Sequence, residues 1–290
     1  MELLLTLRNK KNIEKYINYC DGYIAGSLFT SGYNYAVKDI VEICNFCKAN
    51  NMKFYITIDN FINEEDKVQL INYLDFIKKL DVDGIYFHDL GVYDIAKSLD
   101  MTSLLIYDGK TVMCNSLDVA FYMSKGINGV VIAHELTLQE VMTIMKNNEK
   151  KCDMLIFGHP RLSYSKRKFL TNYFKEIDMN YDYFNKDSMY LIEEQRDYKL
   201  PIIEDKSGTK IYADYVFQIY KELGILRQYI KRGIVDTLFI DEGNIIPVLR
   251  DYKRVTEDNG SFLLHNLSVQ YPDNYSSGYL YQKTNITKDE

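Results

Sequence analysis

Short apolar runs in this 290-residue sequence repeatedly end on acids, histidines or cations. Asp59-Asn60 follows the run at 53–58, His88-Asp89 follows 84–87, and Tyr107-Asp108 follows 103–106. His134-Glu135 follows 130–133, His159 and Arg161 follow 154–157, and Asp241-Glu242 follows 237–240. A neutral imidazole can take or give a proton near pH 7, a carboxylate can act as a base, and a guanidinium grips a carboxylate or phosphate with parallel hydrogen bonds. His88, His134, Glu135 and His159 are therefore the acid–base candidates. Any one of these positions has a plain structural explanation, because polar turn formers resume where a buried strand ends. Taken together they point to one shared mouth. A two-histidine, one-carboxylate metal site could be drawn from separate strands, but no ligand spacing supports it and no metal is assigned. HExxH, the P-loop, GxGxxG and GxSxG are all absent, so zinc hydrolysis, nucleotide binding and serine hydrolysis lack their local signatures.

A second chemical cluster runs over 157–174, FGHPRLSYSKRKFLTNYF. Arg161, Ser163, Tyr164, Ser165, Lys166, Arg167 and Lys168, with Arg196 further on, are the substrate-binding candidates. The cations together with Tyr164, Phe169, Tyr173 and Phe174 could hold a phosphate backbone and stack bases. The alternative is a solvated turn leading into a helix whose apolar face is Phe169, Leu170, Tyr173 and Phe174. Ser163 and Ser165 read as loop hydroxyls, because the sequence places no base beside them.

Positioning these groups requires a repeating scaffold. Strand-like runs at 2–6, 22–26, 53–58, 84–87, 103–106, 130–133 and 154–157 alternate with amphipathic stretches at 12–20, 38–50, 64–80, 93–99, 117–125 and 138–146. After a long irregular section, a helix is expected at 215–232, an eighth strand at 237–240 and a helix at 246–252. Such alternation marks βα units around a parallel sheet, and eight of them suggest a TIM-like (β/α)8 barrel. A doubly wound open sheet stays open as the alternative, because strand number alone does not show closure. Asn63 with Glu64, Glu65 and Asp66 marks one helix start; Thr137 with Glu140 forms a capping box at another. The expected organisation is a barrel over 1–258, carrying an insertion at about 158–214, and a C-terminal extension at 259–290. A connection as long as the insertion is usually functional, here a cover.

Hydrophobic content of 47% supports a real core. The net charge of −6 gives no overall drive toward nucleic acid, so RNA would have to be met by a local basic patch and no DNA partner is expected. No apolar stretch approaches the roughly 20 residues that span a bilayer, and a cytoplasmic location without membrane association is expected. Five cysteines without a secretory signal fit reduced thiols. Cys44 and Cys47 form a C-x-x-C inside a helical pattern, where they read as small buried hydrophobes.

Several of these segments resemble the peptidase U32 family. Ala133–Glu140 (AHELTLQE) is similar to its R-E-L-x-L-x-E segment, and the stretch from Phe157-Gly158 through Ser163-Tyr164-Ser165-Lys166-Arg167 to its H-G-x-x-C-x-S-Y-S-G-R-C segment. EQRDYKLPIIEDKSGTKIY at 194–212 and YSSGYLYQKT at 275–284 resemble a short, cysteine-poor subgroup of low-GC bacteria that occurs beside a longer paralogue. The resemblance implies a TIM-like core and prephenate-dependent 5-hydroxylation of the tRNA wobble uridine, as enzyme or subunit, with tRNA and a cysteine-bearing U32 paralogue as partners. Collagenase-type proteolysis is the alternative that the family name carries; a non-catalytic binding partner of the paralogue is another. Family members with an iron–sulfur cluster use four cysteines, and the first two stand where this chain has Arg161 and Lys168, so no cluster is expected. His134 replaces the arginine of R-E-L, and Phe157 the histidine before the glycine. With Arg167, Arg161 and Lys168 imply a basic pocket suited to a carboxylate such as prephenate or to RNA phosphate.

Overall fold

The computed structural model describes residues 1–32, 34–195, 198–257 and 274–282. Strands β1 (Glu2–Thr6), β2 (Gly22–Gly26), β3 (Lys53–Ile58), β4 (Gly84–Phe87), β5 (Leu105–Tyr107), β6 (Gly129–Val131) and β7 (Cys152–Gly158) each pair in parallel with the next. Between them run α1 (Ile13–Tyr16), α2 (Val37–Ala49), α3 (Lys67–Lys78), α4 (Leu90–Ser98), α5 (Ser116–Ser124) and α6 (Leu138–Asn147). The insertion contributes β8 (Arg161–Ser165), α7 (Phe169–Glu176), β9 (Met189–Ile192), β10 (Lys199–Asp205) and β11 (Gly208–Tyr212). The chain continues through β12 (Val216–Gln218), α8 (Tyr220–Leu226), β13 (Arg232–Val235), α9 (Glu242–Glu257) and β14 (Tyr275–Ser276).

Strand β13 closes the barrel. It pairs in parallel with β7, placing Ile234 opposite Leu155, and with β1, placing Val235 opposite Leu5. The fold is thus a closed (β/α)8 barrel rather than an open sheet. The eighth strand lies at Arg232–Val235, not at 237–240, and the expected helix at 215–232 is divided into β12, α8 and a turn. Two features explain the difference. Arg232 breaks the apolar run because its charge is used inside the barrel, and Phe239 has φ +66°, which a strand does not accommodate. The apolar residues Leu238 and Phe239 pack instead with Ile203 and Tyr212 of the insertion.

Helix faces follow the expected period. Leu70, Tyr73, Leu74 and Ile77 of α3 and Ile40, Ile43, Cys44 and Cys47 of α2 are buried against the sheet. Burial pushes the Cys47 thiol up to about 12, in keeping with a packing role. Capping boxes form at Asn63 with Asp66 and at Thr137 with Glu140.

The barrel interior is filled by one residue from every strand: Leu4, Ile24, Tyr55, Tyr86, Ile106, Val131, Leu155 and Ile234. At the amino-terminal end of the strands Arg232 Nε donates to Asp153 Oδ2 at 2.8 Å, and Tyr86 Oη donates to the same carboxylate at 2.8 Å. Arg232 Nη1 donates to Asn128 Oδ1 at 2.9 Å, and the guanidinium lies 5.4 Å from the Tyr55 ring centre.

The insertion is a folded layer rather than an irregular section. Its strands form an antiparallel sheet ordered β8-β11-β10-β9. On β10 and β11, Ile202, Glu204, Thr209 and Ile211 alternate with Ile203, Asp205, Lys210 and Tyr212. The first set faces α7, where Glu204 accepts the Leu170 N–H at 2.7 Å; the second set faces the barrel. In the described part of the C-terminal extension, β14 pairs with β12, and Leu138 N donates to the carbonyl of buried Leu280 at 2.9 Å.

Replacing Asp153 with Ala leaves Arg232 buried without its counter-charge. Urea unfolding is expected to show a loss of about 3–5 kcal/mol, with part of it recovered in the Asp153→Leu, Arg232→Met double variant.

Candidate functional site

A cavity of about 90 Å³ opens at the carboxyl ends of the barrel strands, where barrel folds place their chemistry. Among its lining residues are Thr6, Asp59, Asp108, Lys110, His134, His159, Arg161, Tyr212 and Asp236.

Arg161 is the centre of this site. After β7 the chain turns at Gly158, whose φ of +135° and closeness to Asp236 leave no room for a side chain: a Cβ would lie 2.7 Å from the Asp236 carbonyl. His159 Nδ1 then stands 2.8 Å from the Ala213 carbonyl, and β8 begins at Arg161 in register with Tyr212 of β11. That path carries Arg161 inward until it is 8% exposed. Its Nη2 lies 3.4 Å from His88 Nε2. Its Nη1 is buried without a hydrogen-bond partner; the Asp59 carboxylate, at 3.8 Å, is in ion-pair range only.

Two of the histidines, His88 and His134, are held toward the neutral form. His88 Nδ1 lies 2.9 Å from the Asp108 carbonyl, which can only accept, so Nδ1 holds the proton and Nε2 presents its lone pair to Arg161. Burial, then the nearby Arg161 charge, lowers the His88 pKa. His134 stands beyond β6 with Nε2 buried and without a hydrogen-bond partner; burial and then Lys110 lower its pKa to about 4. Two unpartnered polar atoms, Arg161 Nη1 and His134 Nε2, thus belong to residues of one cavity wall.

Carboxylates balance the cations. Burial resists ionisation of Asp108, but the ion pair with Lys110 and the Arg161 charge outweigh it and hold its pKa below the usual range. At Asp59, Lys210 and Arg161 overcome burial in the same way. Lys210 is 1% exposed on β11 and donates to Ser31 Oγ and Asn60 Oδ1, while Ser31 Oγ bonds the Asp205 carboxylate. This buried network ties the insertion sheet to the loops after β2 and β3. Asp236 accepts from Thr6 Oγ1 at 3.0 Å and from Leu238 N at 3.1 Å, and burial raises its pKa.

Of the candidates read from sequence, Asp59, Asp108, His134, His159 and Arg161 line this cavity, and His88 stands behind it against Arg161. Glu135 is exposed, and Asp89 caps α4 by accepting the Gly91 N–H at 2.7 Å. Asp241 accepts the Gly243 N–H at 2.8 Å and Glu242 accepts from Asn12 at 2.8 Å, as befits the loop and helix start that follow the true eighth strand. Ser163 is exposed; Tyr164 Oη donates to the Ser207 carbonyl at 2.5 Å; and Ser165 Oγ accepts the Arg167 N–H at 3.1 Å. Lys166 donates to Asn63 Oδ1 at 3.0 Å, Arg167 is exposed, and Lys168 Nζ is 6.0 Å from the Phe184 ring centre. The single basic pocket expected of Arg161, Arg167 and Lys168 is therefore divided, with Arg161 inside and the other two on the surface. Arg196 lies outside the described residues. Sequence reading passed over Lys110, Lys210, Tyr212 and Asp236. The one available signal was that Asp236 directly follows the apolar GIV run of 233–235.

Residues 23–241 match Peptidase family U32. The chain belongs to that family. It is 29% identical over 208 residues to tRNA hydroxylation protein P2 of Bacillus subtilis (strain 168), covering 70% of this chain and 66% of that protein. It is 23% identical over 184 residues to tRNA hydroxylation protein P1 of the same strain, covering 62% and 44%. The chain therefore spans less than two thirds of these curated relatives. The solved structure of the U32 peptidase Mk0906 superposes with a TM-score of 0.50 at 10% identity, over 81% of this chain and 92% of that one, which supports the shared fold.

A four-cysteine cluster does not fit the residues of this U32 mouth. Arg161 is a buried cation and Lys168 an exposed one; Cys20, Cys44, Cys47 and Cys152 are buried and Cys114 is exposed, none of them among the cavity residues. Among the described residues no group of three His, Cys, Asp or Glu side chains is placed to hold a metal.

His134 gives the site a pH signature. The unfolded chain protonates it near 6.5 and the folded chain near 4, so between these values the unfolded state binds more protons. The residue's contribution is complete above about pH 6.5 and is lost as pH falls toward 4, by about 3 kcal/mol in all. Denaturant unfolding at pH 5 and 7.5 is expected to show a smaller acid loss in His134→Gln than in the wild type; equal losses would place the sensitivity elsewhere.

Proposed function

We propose that this U32 protein takes part in 5-hydroxylation of the tRNA wobble uridine, with prephenate as the co-substrate. It acts without an iron–sulfur cluster of its own, beside a cysteine-bearing U32 paralogue. The observation that carries this reading is Arg161, a buried cation whose Nη1 has no hydrogen-bond partner in a cavity that also presents His134 Nε2. A guanidinium so placed suits a planar carboxylate. Neutral His134 is available to a hydroxyl of the same ligand. The likeness to tRNA hydroxylation protein P2 supports the choice of reaction.

Proteolysis, the activity in the family's name, has less support from this site. Ser31 is the serine that lines the cavity, and the amides that could form an oxyanion hole beside it are engaged. Ser31 N donates to Asp59 Oδ1 at 3.3 Å and Gly32 N to Asn185 Oδ1 at 2.7 Å.

Mass spectrometry of tRNA nucleosides from a strain lacking the gene is expected to show reduced 5-hydroxyuridine derivatives. The wild-type gene should restore them and Arg161→Gln should not. Calorimetry on the purified protein should give prephenate binding that weakens by about 10- to 100-fold in Arg161→Gln. Unchanged modification on deletion would overturn the reading.

A further inference from the structure

Helix α7 is apolar on two sides. Leu170 and Phe174 pack inward against Ile202. Phe169, Tyr173 and Ile177 recur at four-residue spacing on its outer side and remain 42%, 58% and 41% exposed. A surface helix with one core to cover would carry polar residues there. Beside this stripe, Tyr181 is 48% exposed and stacks on Phe174 with ring centres 5.4 Å apart and planes 18° from parallel, so its ring is held in a fixed orientation. The cations Lys166, Arg167 and Lys168 precede the helix, and none of them forms an ion pair among the described residues. The acids Glu176 and Asp178 sit at its other end.

We infer that the α7 face is an RNA-contact surface, on which an unpaired loop stacks bases against Phe169, Tyr173 and Tyr181 while Lys166, Arg167 and Lys168 hold its phosphates. The inference rests on the reading of this protein as one that acts on tRNA and assigns where the tRNA lies. Charge selects the occupant. A run of adjacent cations that form no ion pair among the described residues, on a chain of net charge −6, complements a polyanion, whereas a protein partner for an aromatic stripe would not require it. Exposed aromatic rings beside cations are the equipment of single-strand recognition, because every base has a face to stack. Position agrees with charge. Strand β8 leads from Arg161 in the cavity to the cations, and at about 3.3 Å per residue Lys166 lies roughly 16 Å away. A nucleotide entering the mouth would leave its neighbours within reach of α7.

The test is binding of a synthetic anticodon stem-loop to the full-length protein, followed by fluorescence anisotropy across a salt series. The Lys166→Ala, Arg167→Ala, Lys168→Ala triple variant is expected to bind at least 10-fold more weakly at about 0.1 M salt and to lower the slope of log affinity against log salt by about 2. Tyr173→Ala should weaken binding about 5- to 100-fold and leave the slope unchanged. Tyr173→Phe should bind as the wild type does, which separates stacking from misfolding; circular dichroism spectra of all variants should match. Wild-type affinity in both the triple variant and Tyr173→Ala would overturn the inference. So would a wild-type dimer that Tyr173→Ala converts to monomer without change in RNA binding, since the stripe would then join two copies. Loss of stem-loop binding in these variants, in a protein whose deletion leaves hydroxyuridine intact, would support this surface while overturning the proposed reaction.

Discussion

Closure of the barrel by β13 is the constraint on which the site depends. A strand paired with both β7 and β1 brings the carboxyl ends of all barrel strands around one opening, whereas an open sheet would have left His88, after β4, and Arg161, after β7, three strands apart along its edge of strand ends. Closure also requires the interior to be filled. The ring running from Leu4 to Ile234 does this with apolar and tyrosine side chains, and Arg232 with Asp153 occupies the end away from the mouth. Burying that pair is costly in solvation, and hydrogen bonds from Tyr86 and Asn128's acceptance from Arg232 offset part of the cost.

The mouth is shaped as much by the insertion as by the barrel. Its sheet places Arg161, Lys210 and Tyr212 over the opening, and burial there raises the cost of leaving any charge unmatched. Lys210 is matched by Asn60, Ser31 and Asp59, and Lys110 by Asp108. Arg161 is matched least completely, with one long contact to a neutral histidine and a carboxylate at ion-pair distance. The same buried surroundings lower the pKa of His88 and of His134, so the cavity combines one under-satisfied cation with a neutral proton-exchanging group, His134. This combination is suited to an anionic organic ligand.

The outward side of the insertion obeys a different logic. Glu204, fully buried, satisfies the amino-terminal N–H groups of α7 at Leu170 and Thr171 and so fixes the helix on the sheet. With its inner face committed to Ile202, the helix presents its second apolar stripe to solvent next to the exposed cations Lys166, Arg167 and Lys168. Cavity mouth and outer surface are thus joined by one strand, β8, which carries Arg161 at one end and leads to Lys166 at the other.

How much of this was legible in sequence follows from the range of the forces involved. Alternation of apolar runs with helical periods showed the βα units and suggested a barrel, and the helix starts at Asn63 and Thr137 and the strand-end placement of His88, His134 and His159 were also legible, because those signals are local; closure itself was not. The eighth strand was misplaced because Arg232 is buried by a partner 79 residues away, and because Leu238 and Phe239 are apolar for the sake of the insertion rather than a strand. The insertion looked irregular for a related reason: its alternate residues serve two cores, so Asp205 and Lys210 point inward where a sequence reader expects apolar side chains. Which cations share the cavity was decided only by the tertiary structure. Arg161, Arg167 and Lys168 are neighbours along the chain, but a side chain's environment depends on which end of β8 it occupies and what that end packs against.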